Sequence, residues 1–256
     1  MKLPKKTALV AKVAGILLAV LLALPLGAWL FLYVGMNGGI KGTISNLKPP
    51  LDAGSTAVVA KRDRISNAIE AAFSELETGS DFAGYAVATH DRCNKGENNW
   101  KISQGFANRC QFRMTRFYGM KDDVRPQMLG FETRLIESGW TVPPSGIRDF
   151  IAHYDENCGR QAPSKFASAA PDCPPSIPPR SYGGYRKNNL QLRAAYADND
   201  SNFPLIFEHT QQIDLDGMPV AYERTDFQNT YMLFQTIRQS YAYALAISIQ
   251  GTYFEN

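Results

Sequence analysis

Hydrophobic and polar positions follow three different rhythms along this chain. From Val13 to Gly35, 23 consecutive residues carry no charge. Beyond them, apolar residues recur either with the helical period of about 3.6 or with the strand period of 2. Ile65, Ile69, Ala72, Phe73 and Leu76 lie on one face of a helix that Gly79 would end. Ala83–Thr89 and Gln111–Tyr118 read as strands, with Tyr85/Val87 and Phe112/Met114 as inward candidates. Val124, Met128, Phe131 and Leu135 predict a second helix, capped by Asp122 or Asp123 and ended by Gly139. Ser145 opens a shorter helical pattern through Ile147, Phe150, Ile151 and Tyr154 that should stop before Gly159.

The C-terminal third is richer in strand patterns. Leu190, Leu192, Ala194 and Tyr196 alternate, as do Tyr241, Tyr243, Leu245, Ile247 and Ile249. The second of these strands carries Ala242, Ala244, Ala246 and Ser248 on its other face, small residues that suit close packing of a helix. Leu205–Leu215 and Met218–Tyr222 flank Asp216-Gly217 and predict a hairpin. A helix over Asp226–Arg238 follows from Phe227, Tyr231, Phe234 and Ile237. Helices interspersed among hairpin-type strands, without a βαβ repeat, predict an α+β domain with a mainly antiparallel sheet and packed helices.

The uncharged run sets the organisation. A helix of that length measures about 34 Å, enough to cross a hydrocarbon core of about 30 Å. Lys2, Lys5, Lys6 and Lys12 precede it, and basic flanks stay cytoplasmic. The expected layout is a cytoplasmic basic N-terminus (1–12), a transmembrane signal-anchor helix (13–35), a juxtamembrane stem (36–56) and an extracytoplasmic domain (57–256). A cleaved signal peptide is the rival reading, but the run exceeds the usual 7–15 residues, and Leu26 occupies a position that prefers a small residue. Gly15, Ala19, Ala23 and Gly27 recur every fourth residue, a stripe on which another helix can pack. Within the outer domain, residues 159–187 hold six prolines and Gly183-Gly184, which predicts an irregular loop and a candidate partner-binding surface.

Charge changes the picture of partners. The portion after Gly35 has 23 basic against 24 acidic residues, a formal −1, so no field draws it toward nucleic acid. The bilayer, through the N-terminal helix, is one expected partner, and an unidentified protein is the other. Lys41, Lys48, Lys61, Arg62 and Arg64 form a small basic group beside the membrane.

Four cysteines, Cys93, Cys110, Cys158 and Cys173, suit an oxidising compartment. Three pairings exist, and sequence proximity favours Cys93–Cys110 with Cys158–Cys173. No C-x₂₋₄-C pair occurs, and His90, His153 and His209 lack ligand-spaced partners, so neither a metal nor another cofactor is expected.

Candidate chemistry is sparse. Gln212 to Glu223 resembles an EF-hand loop at Asp214, Asp216, Gly217 and Glu223, but Gln212 and Pro219 break the pattern and a hairpin explains Asp-Gly. His153, Asp155 and Glu156 cluster near a helix end without an evident nucleophile. His209-Thr210 resembles a fragment of the two-histidine phosphoesterase signature, with the wrong spacing to His90. Arg109, Arg113, Arg116, Lys121, Arg125 and Arg134 are candidates for an anion site or for pairing with Asp122, Asp123 and Glu137. Phe227, Tyr231, Phe234, Tyr241, Tyr243, Tyr253 and Phe254 are expected mainly in the core. No GxGxxG, Walker, G-x-S-x-G or HExxH pattern is present. The expected function is binding or assembling partners at the membrane surface. The alternatives are an anchored hydrolase with a dispersed site, or an accessory subunit of a membrane complex.

Overall fold

A computed structural model describes residues 23–49, 51–99, 101–102, 104–121, 124–157, 180–198, 203–213 and 218–256. Its helices are α1 (Ala23–Met36), α2 (Gly39–Asn46), α3 (Thr56–Glu77), α4 (Val124–Glu137), α5 (Ile147–Asn157), α6 (Phe203–Gln211) and α7 (Thr230–Arg238). The strands are β1 (Ala83–Lys95), β2 (Asn108–Met120), β3 (Arg180–Lys187), β4 (Leu190–Asp198), β5 (Val220–Asp226) and β6 (Tyr243–Glu255). They form one six-stranded antiparallel sheet of order β3-β4-β6-β2-β1-β5, so the expected α+β class holds.

The chain divides into two compact units. The larger comprises 52–94 and 110–255 and holds most of the sheet. On one sheet face, α3 buries Ile65, Ile69, Phe73 and Leu76, the residues its periodicity selects. Gly251 of β6 makes this close approach possible, since a Cβ there would stand 2.7 Å from Ile65 Cδ1. On the opposite face, α6 and α7 bury Phe207, Phe234 and Ile237 against Ala195, Ala197, Ala244, Ala246 and Phe117. The alanines of central β6 thus serve the helix packing that their size suggested.

α4 buries Val124, Met128, Phe131 and Leu135, as their helical spacing predicts. α5 is capped across space. The buried Glu132 of α4 accepts the Ile147 and Arg148 N–H groups, each at 2.8 Å, so a carboxylate meets the positive end of α5. Tyr185 donates its hydroxyl to the same Glu132 at 2.8 Å.

The smaller unit holds 1–51, 95–109 and Asn256. Within residues 36–56, α2 occupies Gly39–Asn46. Gly38 and Gly39 adopt φ +74° and +83°, a left-handed step from which α2 starts. Asn46 then donates to the Asn98 carbonyl at 3.0 Å and to Asn37 Oδ1 at 2.8 Å. Among the described residues no single helix is long and apolar enough to cross a membrane. α1 and α2 pass that test together, with an 84° bend between them, and a signal sequence passes it equally. Residues 13–22 of the expected span lie outside the described residues.

Two expectations fail. Leu205–Leu215 is not a strand: α6 occupies Phe203–Gln211. Phe207 needs only one buried face, packed on Phe117 with ring centroids 5.7 Å apart. The strand that follows Asp216-Gly217 in sequence, β5, pairs instead with β1, from Thr89↔Asp226 to Asn94↔Val220. The irregular loop assigned to 159–187 ends earlier, because 180–187 form β3. Tyr182 and Tyr185 are buried there, which fixes the segment in the sheet despite its glycines. Residues 158–179 lie outside the described residues, and with them the Cys158–Cys173 pair.

Candidate functional site

The face beneath α6 and α7 changes character along the strands. Its alanine end is covered by the helices, but the same face continues into polar residues that a buried core does not require. Cross-strand neighbours on β2 and β6 are hydrogen-bonded in series: Gln111 to Thr252 at 3.2 Å, Arg113 to Gln250 at 3.0 Å, and Thr115 with Ser248 at 2.8 Å. β4 adds Gln191 and Arg193 opposite Gln250 and Ser248. A cavity of about 210 Å³ lies here, lined by Arg113, Arg186, Arg193, Gln191, Gln250 and Ser248 together with Gly184 and Leu192.

Arg113 forms its floor and is 1% exposed. Its guanidinium donates through Nε to Gln250 Oε1 at 3.0 Å and through a terminal nitrogen to the Thr210 carbonyl at 3.2 Å. Gln250 passes the chain onward, donating from Nε2 to Gln191 Oε1 at 3.1 Å. Thr210 lies in the last turn of α6, where helix carbonyls lack intrahelical partners and the macrodipole is negative. Thr115 and Ser248 hydroxyls also approach that carbonyl, at 3.1 and 2.7 Å. Each hydroxyl has one proton, so two of the three contacts among Thr115, Ser248 and Thr210 are hydrogen bonds at any moment. The cation and the helix end hold one another in place.

The outer arginines are placed by backbone geometry. β3 bulges between Gly183 and Tyr185, where Gly184 has φ +94°. At Gly183 a Cβ would sit 3.2 Å from Arg193 Cγ, so the glycine gives the arginine stem room to cross β3. Arg186 exchanges both backbone hydrogen bonds with Thr141, which pins its position.

Other candidates resolve differently. Arg116 lies on the α3 face, pairing with Glu70 and, at 2.8 Å, with Glu77, so it and Arg113 do not share a site. Arg109, Lys121 and Arg134 lie over Phe106, Tyr241 and Phe82. Phe234 and Tyr253 are buried, whereas Phe227 and Tyr231 are exposed and do not belong to the core. His209 is exposed on α6. His153, Asp155 and Glu156 fall in α5, but their side chains lie outside the described residues, as do 214–217 of the calcium-loop resemblance. Glu223, the last residue of that loop, sits on β5 with Oε1 2.7 Å from His90 Nε2.

His90 is 2% exposed and also accepts the Ile213 N–H on Nδ1 at 2.9 Å. Burial, with Arg92 and Arg113 nearby, lowers its pKa against the pull of Glu223. On the opposite face, the expected disulfide joins Cys93 to Cys110. Beside it Tyr253 donates to buried Asp91 at 2.8 Å, and burial pushes the Asp91 carboxyl above its ordinary range.

Sequence reasoning does not bring the cavity together, although single residues of it stand out. Gln191 and Arg193 alternate with Leu190, Leu192 and Ala194, and Ser248 and Gln250 interrupt an alanine face. No protein-family model, curated protein or solved structure matches the chain.

Proposed function

We propose that the chain is a membrane-anchored envelope protein whose outer domain faces away from the cytoplasm and works by binding. The lysine-flanked apolar segment and the Cys93–Cys110 disulfide support the location. One observation carries the function: among the described residues the cavity on the sheet face is lined by β2, β3, β4 and β6. Polar side chains held there by a relay of hydrogen bonds form a rigid recognition surface rather than a core layer.

A reporter active only in the cytoplasm, fused after Asn256, should be silent. A photo-crosslinking residue replacing Gln191, at the cavity rim, should yield a specific adduct in native membranes, whereas one replacing Arg238 on α7 should not. Equal labelling at both positions, or none at Gln191, rejects the cavity as the binding surface. Turnover of an ester, glycan or peptide that His153→Ala abolishes would put the anchored hydrolase in its place.

A further inference from the structure

We propose that the cavity binds a phosphoryl oxyanion, the charged group of a larger molecule or of a lipid head. The inference rests on the binding reading above and names its ligand class. Among the described residues the lining contributes three arginines and no carboxylate. Guanidinium forks match the geometry of phosphate oxygens better than any other side chain. The arginines also come from three strands, β2, β3 and β4, and so approach one volume from different directions rather than in a row.

Size points the same way. About 210 Å³ is below the roughly 300–1,000 Å³ of sites that enclose whole small ligands, so one charged group enters and the remainder stays outside. The floor is preorganised. Arg113 is held by Gln250 and the Thr210 carbonyl, and Gln250 by Gln191, so little side-chain freedom remains to be lost. Ser248, at the inner wall, donates its hydroxyl to the Thr210 carbonyl at 2.7 Å and so braces the same floor. Gly183 is part of the device, because a larger residue would displace the Arg193 stem without removing any charge.

The test uses the full chain in nanodiscs of phosphatidylcholine, titrated with inorganic phosphate by calorimetry at low salt. Wild type should bind, and Arg186→Gln with Arg193→Gln should weaken binding at least about tenfold. Both are exposed, so folding should survive. Gly183→Val should weaken binding with all charges retained, and Arg238→Gln, which removes one charge from α7, should change nothing. Repeating the titration in nanodiscs containing phosphatidylglycerol separates the sources. Loss of phosphate binding there identifies a lipid head as the occupant, and unchanged binding a soluble phosphate ester. Absence of phosphate binding by wild type, or equal binding by the double variant, overturns the proposal. A Gln191 crosslink that persists in that case would leave the binding reading standing with a different ligand class.

Discussion

The Ile213 backbone N–H donates to Nδ1 of His90 at 2.9 Å, which places the single proton of the neutral ring on Nε2, facing Glu223 at 2.7 Å. Both nitrogens are committed, and a second proton on Nδ1 would turn an acceptor toward a donor. The ring joins β1 to β5 and to the segment that follows α6, so its charge state bears on how those elements hold together.

Because burial lowers the His90 pKa, the unfolded chain binds a proton on this residue before the folded one does. Its contribution is therefore present above the ordinary histidine value of 6.5 and is lost as pH falls below it, by at most about 1.4 kcal/mol per pH unit. Urea unfolding at pH 7.5 and 5.5 should show that loss in wild type and a smaller difference in His90→Gln. An unchanged difference in the variant would assign the pH sensitivity elsewhere.

Asp91 should behave with the opposite sign. Its pKa is raised by burial, and Oδ2 finds no hydrogen bond among the described residues, with Arg62 at 3.8 Å. Here the folded state holds the proton more tightly, so stability falls as pH rises through the carboxylate range toward neutrality. Asp91→Asn should be more stable than wild type at pH 7.5, by about 1 kcal/mol, and lose that advantage near pH 4. A destabilised Asp91→Asn at pH 7.5 would mean that the Arg62 pair outweighs the burial penalty.

Periodicity made the helices with one continuous buried stripe legible. Val124, Met128, Phe131 and Leu135 in α4 and Ile65 to Leu76 in α3 are such cases. It failed where the apolar run was short. Leu205-Ile206-Phe207 fits a strand or a helix equally, and Pro204, just inside the start of α6, was the cue for a helix. In β3 the glycines read as breakers, but buried Tyr182 and Tyr185 anchor the strand and the glycines supply its bulge. The cavity was illegible for a different reason. Arg113, Arg186, Arg193 and Gln250 meet only because β3, β4, β6 and β2 lie side by side, an order that no local pattern encodes.

Glu132 offers a further stability test. It is 1% exposed and receives Ile147 N–H, Arg148 N–H and the Tyr185 hydroxyl. Removing it takes the acceptor from the Arg148 N–H and the buried Tyr185 hydroxyl, and leaves the Ile147 N–H only its 3.0 Å bond to Tyr185. Glu132→Ala should therefore lower the unfolding free energy by about 3–5 kcal/mol, and Glu132→Gln by less, since one acceptor oxygen remains. Comparable losses in both variants would show that the negative charge at the start of α5, rather than the hydrogen bonds, supplies the stability.

The disulfide allows the location and the stability to be read together. Cys93 and Cys110 are fully buried, 17 residues apart across the β1–β2 connection. A loop of that length constrains the unfolded chain by about 3 kcal/mol. The double variant Cys93→Ala with Cys110→Ala should lose roughly that amount while keeping the sheet, because alanine adds no buried polar group and the volume of two sulfurs is small. Non-reducing peptide mapping of protein from native membranes should recover the Cys93–Cys110 crosslink, since a compartment outside the cytoplasm sustains it. Recovery of both thiols in reduced form would argue against an outward-facing domain, and a double variant as stable as wild type would show that the sheet, not the crosslink, holds β1 and β2 together.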